Sequence, residues 1–327
     1  MSKIGTFLRW PAKVLLPAAA MVLALAGNSN AAGYPDHAIK LIVPWAAGGD
    51  TDLIFRPLLP LLQKYLGQPV IISNVGGASG TVGEREAAGA APDGYTIFGA
   101  HDYIHSVYFA GITDIKYSKA FEPVCLIAST PSVITVGAKT PWKSFKELVA
   151  DAKKRPGEIV VGATLGSTSQ YSIALAAQAA GIKFKYVPYQ GTAKRMNALL
   201  GGHIQVADSN LTQKSKVEAG LLRFLANMSD KRTEGLEDVP TLKELGYNVS
   251  YSVNRGLMVP KGTPADVISK INDACAKAVK EPEYAKSLAL QGTSARYLGP
   301  KGYADYLSET DKQTKSIAKE LGLLKRE

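Results

Sequence analysis

Apolar positions along the chain fall into two alternating patterns. Short β-branched runs at Ile39–Val43, Val70–Ser73 and Tyr95–Phe98 predict buried strands. Between the first two, Leu53, Leu58, Leu59, Leu62 and Leu66 recur at helical spacing, with Pro57 and Pro60 demanding a kink or a start later than Thr51. Glu84–Ala90 continues as helix up to the turn signal Pro92-Asp93-Gly94. Two apolar runs flank Ser129-Thr130-Pro131, and Ser144–Lys154 is amphipathic through Phe145, Leu148 and Val149. Strand patterns recur at Ile159–Gly162, Tyr186–Pro188, Ile204–Ala207, Phe224–Asn227 and Leu257–Pro260. Helical patterns recur up to Ala180, at Ala193–Leu200, Pro264–Lys280 and Glu283–Leu290, and from Gly302 onward. This alternation predicts βαβ units and an α/β fold with mixed, mainly parallel sheets.

Three strand-to-helix loops stand out, around Gly48, Gly77 and Ser167. The first is the most informative. Lys40-Leu41-Ile42-Val43 is a strand ended by Pro44, small residues follow from Ala46 to Gly49, and Asp50, Thr51 and Asp52 suit a helix start. Such a loop aims backbone N–H groups and the positive end of a helix dipole at one spot, which suits a carboxylate. No Lys or Arg lies between Trp45 and Leu53. Ala47, Gly48 and Gly49 are therefore expected to hold an acid by backbone donors and water, with Asp50 and Asp52 turned away to cap the helix or pair with Arg56. An ordinary βα turn is the alternative.

Composition narrows the class. The chain has 327 residues, 46% hydrophobic and 20% charged, enough for two globular domains. Residues 1–32 read as a secretory signal peptide: Lys3, Arg9 and Lys13 precede the apolar run Val14–Gly27, and Ser29-Asn30-Ala31-Ala32 offers a cleavage site. That run is shorter than the ~20 apolar residues of a spanning helix. Removing those three cations takes the net charge from +10 to +7. Lys and Arg are dispersed and no nucleic-acid recognition motif accompanies them, so no nucleic-acid partner is expected. Cys125 and Cys275 are either a disulfide, which export permits, or two buried thiols.

Catalytic motifs are missing. No G-x-S-x-G elbow, Walker A sequence or complete G-x-G-x-x-G fingerprint occurs, and Ser167 and Ser169 have no identifiable base. His101-Asp102-Tyr103-Ile104-His105 places two histidines four apart. The segment follows a strand, lacks a long helical pattern and indicates no third ligand, so a cleft-lining loop is expected there in place of a metal site. Loops rich in donors and poor in nucleophiles fit binding better than catalysis. No cofactor and no catalytic residue is expected.

The order of motifs resembles the extracytoplasmic substrate-binding proteins of tripartite tricarboxylate transporters, the Bug family. The resemblance runs along nearly the whole mature chain. Its residues are Tyr34-Pro35, Ile42-Val43-Pro44-Trp45-Ala46-Ala47-Gly48-Gly49 with Asp52 and Arg56, Leu66-Gly67-Gln68-Pro69-Val70, and Asn74 with Gly77-Ala78-Ser79-Gly80. Further on come Pro92-Asp93-Gly94-Tyr95-Thr96, Val187-Pro188-Tyr189-Gln190-Gly191, Leu200-Gly201-Gly202, Val239-Pro240-Thr241-Leu242 with Glu244-Gly246-Tyr247, and Gly262-Thr263-Pro264. The chain departs from the family pattern at Val75-Gly76, Asn254 and Gln205, where Arg-Pro, an aromatic and an acid are common.

The resemblance implies a two-domain periplasmic-binding-protein fold of the Venus-flytrap kind, type II-like, with a hinge. Residues 33–131 with 254–327 would form one domain and 132–253 the other. It implies a monomeric periplasmic protein that captures a small organic acid and delivers it to membrane permease subunits. A sensory binding protein is the alternative, and an exported enzyme acting on a carboxylate a more distant one. The cleft residues it implies are Trp45 to Asp50 on the first loop, Gly166, Ser167, Thr168, Ser169 and Gln170 on the second domain, and Gln205 to Asp208. Ser79, His101, Tyr103 and Tyr189 are further candidates from the neighbouring loops. Trp45, Tyr103, Tyr171 and Tyr189 leave room for an aromatic ligand. Lys194 and Arg195 are candidates for a second acid clamp, with a solvated helix face as the alternative.

Overall fold

β1 (Ile39–Val43) is an inner strand of the first sheet, one in from its edge, in the computed structural model, which describes residues 1–2 and 33–327. The signal-peptide reading lies largely outside the described residues. β1 is apolar along nearly its whole length because both its faces are covered and both its edges are paired. It runs parallel to β2 (Val70–Asn74) on one side and β3 (Thr96–His101) on the other, with Ile39 opposite Val70 and Lys40 opposite Thr96. The helical pattern after β1 is broken into α1 (Asp50–Phe55), a 3-10 turn at Arg56–Leu58 and α2 (Leu59–Leu66). Pro57 and Pro60 each sit in the first turn of the piece they open, where a missing N–H costs nothing. α3 (Thr81–Ala88) follows the second glycine loop.

The chain then departs from a purely parallel plan. After α4 (Tyr103–Phe109) and α5 (Tyr117–Ala120), β4 (Phe121–Pro131) joins the first sheet, and β5 (Val133–Gly137) opens a second one. The two apolar runs around Ser129-Thr130-Pro131 thus belong to different sheets, with Ser132 the residue between them. The second sheet is completed by β6 (Val160–Ala163), β7 (Lys185–Pro188), β8 (Val206–Ser209) and β9 (Leu222–Asn227) in the order β7-β6-β8-β5-β9. Its helices are α6 (Phe145–Lys154), α7 (Thr168–Ala180), α8 (Thr192–Leu200) and the short α9 (Lys214–Glu218). α6 starts where its sequence says it should: Ser144 accepts a hydrogen bond from the Glu147 N–H.

The chain returns through β10 (Ser252–Pro260), antiparallel to both β3 and β4, then α10 (Ala265–Val279), α11 (Pro282–Ala289), edge strand β11 (Ser294–Leu298) and α12 (Pro300–Glu320). The first sheet has the order β11-β4-β10-β3-β1-β2. Both sheets are mixed. Each has parallel βαβ strands at one side and antiparallel strands, from the segments that pass between sheets, at the other. The two passages lie together, with the Ser132 N–H donating to the Tyr251 carbonyl at 3.1 Å and the Met228 N–H to the Ser132 carbonyl at 2.8 Å. The elements around the β11-β4-β10-β3-β1-β2 sheet form a first lobe and those around the β7-β6-β8-β5-β9 sheet a second, and Cys125 on β4 and Cys275 on α10 form a disulfide in the first. Residues 34–327 make one compact unit. Among the described residues no helix is long and apolar enough to cross a membrane, and no group of three or more His, Cys, Asp or Glu is placed to hold a metal.

Candidate functional site

The loop after β1 is held by its own side chains. Asp52 is wholly buried and accepts from the Gly48 N–H at 2.8 Å, Asn74 Nδ2 at 2.9 Å and Arg56 Nε at 2.7 Å. Those bonds keep its carboxyl below the usual range in spite of burial, the largest opposing influence. The Gly49 N–H donates to the Ala46 carbonyl at 3.2 Å. Two of the three backbone donors expected to hold an acid are therefore already used inside the loop, and Ala47 and Gly48 lie outside the cavity wall.

Asp50 corrects a second expectation. It does not turn away: it lines the cavity and reaches the opposite lobe. Its Oδ1 accepts from Thr192 Oγ1 at 2.9 Å and its Oδ2 from Asn210 Nδ2 at 3.1 Å, with Arg255 Nη2 at 3.3 Å. The reason is helical geometry. Residues two apart on a helix project about 200° from each other, so burying Asp52 behind the loop sends Asp50 into the cleft. Burial works against its charge, but Arg255, then Arg195 and the Thr192 hydroxyl, hold its carboxyl below the usual range.

A cavity lies between the lobes and opens to solvent at its mouth. Trp45, Gly49, Asp50 and His101 line it from the first lobe, and Ser167, Thr168, Ser169 and Asp208 from the second. His101 stacks on Trp45 with ring centroids 5.4 Å apart. Burial, reinforced by Arg255, pushes its pKa down to about 3, so the ring is neutral. Its Nδ1 lies 3.2 Å from the Tyr103 N–H and accepts from it, which puts the ring proton on Nε2. The Trp45 indole N–H is buried with no hydrogen-bond partner among the described residues.

Other predicted site residues serve the frame. Tyr103 is buried against Trp45 and donates to the Gly80 carbonyl at 3.2 Å. The Gly166 N–H is taken by Gln170 Oε1 at 2.7 Å. Gln205 accepts from the Val160 N–H at 2.8 Å, stapling two strands away from the cavity. Tyr189 lies beside the cavity without lining it, its carbonyl accepting from Thr164 Oγ1 at 2.7 Å. Ser79 joins the lobes: its N–H donates to Gln190 Oε1 and its hydroxyl to the Leu165 carbonyl, both at 3.0 Å. Tyr171 packs with Phe109 and Ala318, outside the cavity.

Two guanidiniums complete the wall. Arg195, on α8, is buried to 3% exposure, donates through Nε and Nη2 to the Asp208 carbonyl at 3.3 and 3.2 Å, and has Asp208 Oδ2 at 3.7 Å. Its helical neighbour Lys194 stays exposed at the rim. Asp208 also accepts from Ser172 Oγ at 2.9 Å, and burial lifts its pKa to about 6 against the pull of Arg195. Arg255 sits opposite His101 across the β10–β3 ladder, fully buried, and donates to Thr130 Oγ1 at 2.8 Å and to the Val253 carbonyl at 3.2 Å. The α7 and α8 N-termini open onto the same space, with Ser167 to Ser169 and Gly191 to Lys194 in the wall. Arg255 was missed by sequence reasoning, although an arginine between Val253 and Leu257 in a buried run signals a charge that needs a partner.

Two α/β lobes linked by two adjacent strand passages around a donor-rich cleft define a solute-binding protein. The chain belongs to the tripartite tricarboxylate transporter family receptors, whose family model matches residues 54–323. It is 33% identical over 309 residues to the UPF0065 protein in gbd 5'region of Cupriavidus necator, covering 94% of each chain. The solved periplasmic binding protein BugD superposes with a TM-score of 0.85 at 28% identity, over 90% of this chain and 100% of that one. MatC from Rhodopseudomonas palustris, solved with bound malate, has a TM-score of 0.80 at 26% identity, over 87% of this chain and 99% of that one.

Proposed function

We propose that this protein captures a small carboxylate in the interlobe cleft and presents it to the membrane subunits of a tripartite tricarboxylate transporter. The observation that carries the reading is Arg195, a buried guanidinium in the wall where α7 and α8 begin. A cation and two helix N-termini facing one cavity favour an anion. The unpartnered Trp45 indole N–H is a further donor that a ligand oxygen would satisfy. The malate bound to MatC supports the same class. Residues 33–131 with 254–327 act as one domain and 132–253 as the other, closing about the passages at 131–133 and 251–253. The reading places the exported protein in the periplasm, working as a monomer, with binding and no turnover.

A thermal-shift screen of organic acids tests this. An acid at about 100 times its dissociation constant stabilises by about 2.7 kcal/mol. The Arg195→Met protein should lose that response while retaining a cooperative unfolding transition. A screen in which no acid moves the midpoint, or a response unchanged in Arg195→Met, overturns the reading.

A further inference from the structure

We propose that Asp50 makes the cleft select acids with one negative charge, zwitterions included, and reject dianions. The inference rests on the carboxylate reading above and deepens it.

Its basis is the number of donors left over. A second ligand carboxylate would need hydrogen-bond donors and a counter-charge on the first-lobe side of the cavity. Asp50 already takes the counter-charge, Arg255 Nη2 at 3.3 Å, and draws Thr192 Oγ1 at 2.9 Å and Asn210 Nδ2 at 3.1 Å across from the second lobe, so that what is left for a ligand on the first-lobe side is an uncharged donor, the Trp45 indole N–H. Three of the other four Arg255 N–H donors go to Thr51, Thr130 and the Val253 carbonyl. Arg255 therefore belongs to the protein's own carboxylate before any ligand arrives.

The charges in the wall lead to the same place. Arg255 is matched by Asp50, and Arg195 is matched in part by Asp208 at 3.7 Å. His101 is neutral. Lys194 lies at the exposed rim, where water screens it. What remains positive is the pair of helix N-termini, each equivalent to roughly half a unit charge, and the unmatched part of Arg195. That suffices for one carboxylate on the second-lobe side. A dianion spanning the cavity would set its second carboxylate against Asp50. An amide or an ammonium group in that position would meet an acceptor.

Two isosteric series read the selectivity directly by titration calorimetry at pH 7.5. One is succinate, succinamate and 4-aminobutyrate; the other is adipate, adipamate and 6-aminohexanoate. In the wild-type protein the best monoanion or zwitterion should bind at least tenfold tighter than the dianion of its length. In Asp50→Asn that ratio should shrink at least tenfold because the dianion binds more tightly. A wild-type protein that binds the dianion as well as its singly charged isosteres overturns the selectivity and leaves the carboxylate reading standing. A ratio unchanged in Asp50→Asn removes Asp50 as its cause. If none of the six compounds binds, the selectivity falls, while the carboxylate reading stands or falls by the wider screen of organic acids.

Discussion

Glu84 carries a stability cost that pH should reveal. It lies on α3, wholly buried. The helix packs so closely that a Cβ on the adjacent Gly83 would sit 2.6 Å from the Val75 carbonyl oxygen, and both Glu84 carboxyl oxygens are buried with no hydrogen-bond partner among the described residues. Burial lifts the Glu84 pKa from 4.5 to about 8, with Thr113 and Arg85 pulling weakly the other way. In the unfolded chain the group releases its proton near 4.5; in the native protein it keeps it until about 8. The native state thus binds the extra proton throughout this window, and stability falls as pH rises through it. At 1.36 kcal/mol per pKa unit the full loss is roughly 5 kcal/mol, and between pH 5 and pH 8 it is about 3.5 kcal/mol. Glu84→Gln keeps the shape and removes the titration. Urea unfolding of both proteins at pH 5, 6, 7 and 8 should show the variant gaining on wild type steadily, by about 2–4 kcal/mol over the series. Every other titrating group is shared and cancels in the difference. A difference that does not change with pH would refute the argument, since it would mean that Glu84 ionises alike in both states.

Two further perturbations probe the frame. Replacing both Cys125 and Cys275 by Ala opens a link between residues 150 apart, which the chain-entropy account values at about 5 kcal/mol and measured cases at about 2–4; equal urea midpoints for the two proteins would contradict a stabilising bridge. Gly48 has φ +75° and open space within 4 Å of where a Cβ would stand, so Gly48→Ala should cost about 1–2 kcal/mol of stability through its left-handed backbone. Ligand affinity should stay within about threefold, because Gly48 lies outside the cavity wall and its N–H belongs to Asp52. A tenfold loss of affinity at unchanged stability would show that this backbone does hold the ligand.

The strands of the fold were legible where burial imposed a periodicity. β1 and β3 are covered on both faces, so their residues had to be apolar in continuous runs. The elements that escaped were those whose composition follows other demands. β11 is an edge strand, Ser-Ala-Arg-Tyr-Leu, with no fully buried position and hence no hydrophobic signature. β10 was visible only from Leu257 onward, because its first four residues, Ser252, Val253, Asn254 and Arg255, include three polar ones. Asn254 answers to Asp102, whose carboxylate accepts from its backbone at 2.7 Å and its side chain at 3.1 Å, and Arg255 answers to Asp50. α4 is a single run of buried residues too short for a helical stripe to declare itself.

The site was legible by location more than by chemistry. Loops between strand and helix on both lobes do meet at the cavity, and Trp45, Gly49, Asp50, His101, Ser167, Thr168, Ser169 and Asp208 line it. The sign of its charges was not readable, because that depends on which long side chains fold inward from elements far apart in sequence. Arg195 on α8 and Arg255 on β10 come from opposite lobes, 60 positions apart, and nothing local to either names its partner. Asp50 shows the limit most clearly. Read beside Gly48 and Gly49, it was an acid to be moved out of the way of an anion. Placed in the fold, it shares its two oxygens among Thr192, Asn210 and Arg255. The same geometry that forces Asp52 behind the loop forces Asp50 into the cleft. A carboxylate supplied by the protein thereby occupies ground that a second ligand carboxylate would need, and the cleft's preference follows from where a six-residue helix begins.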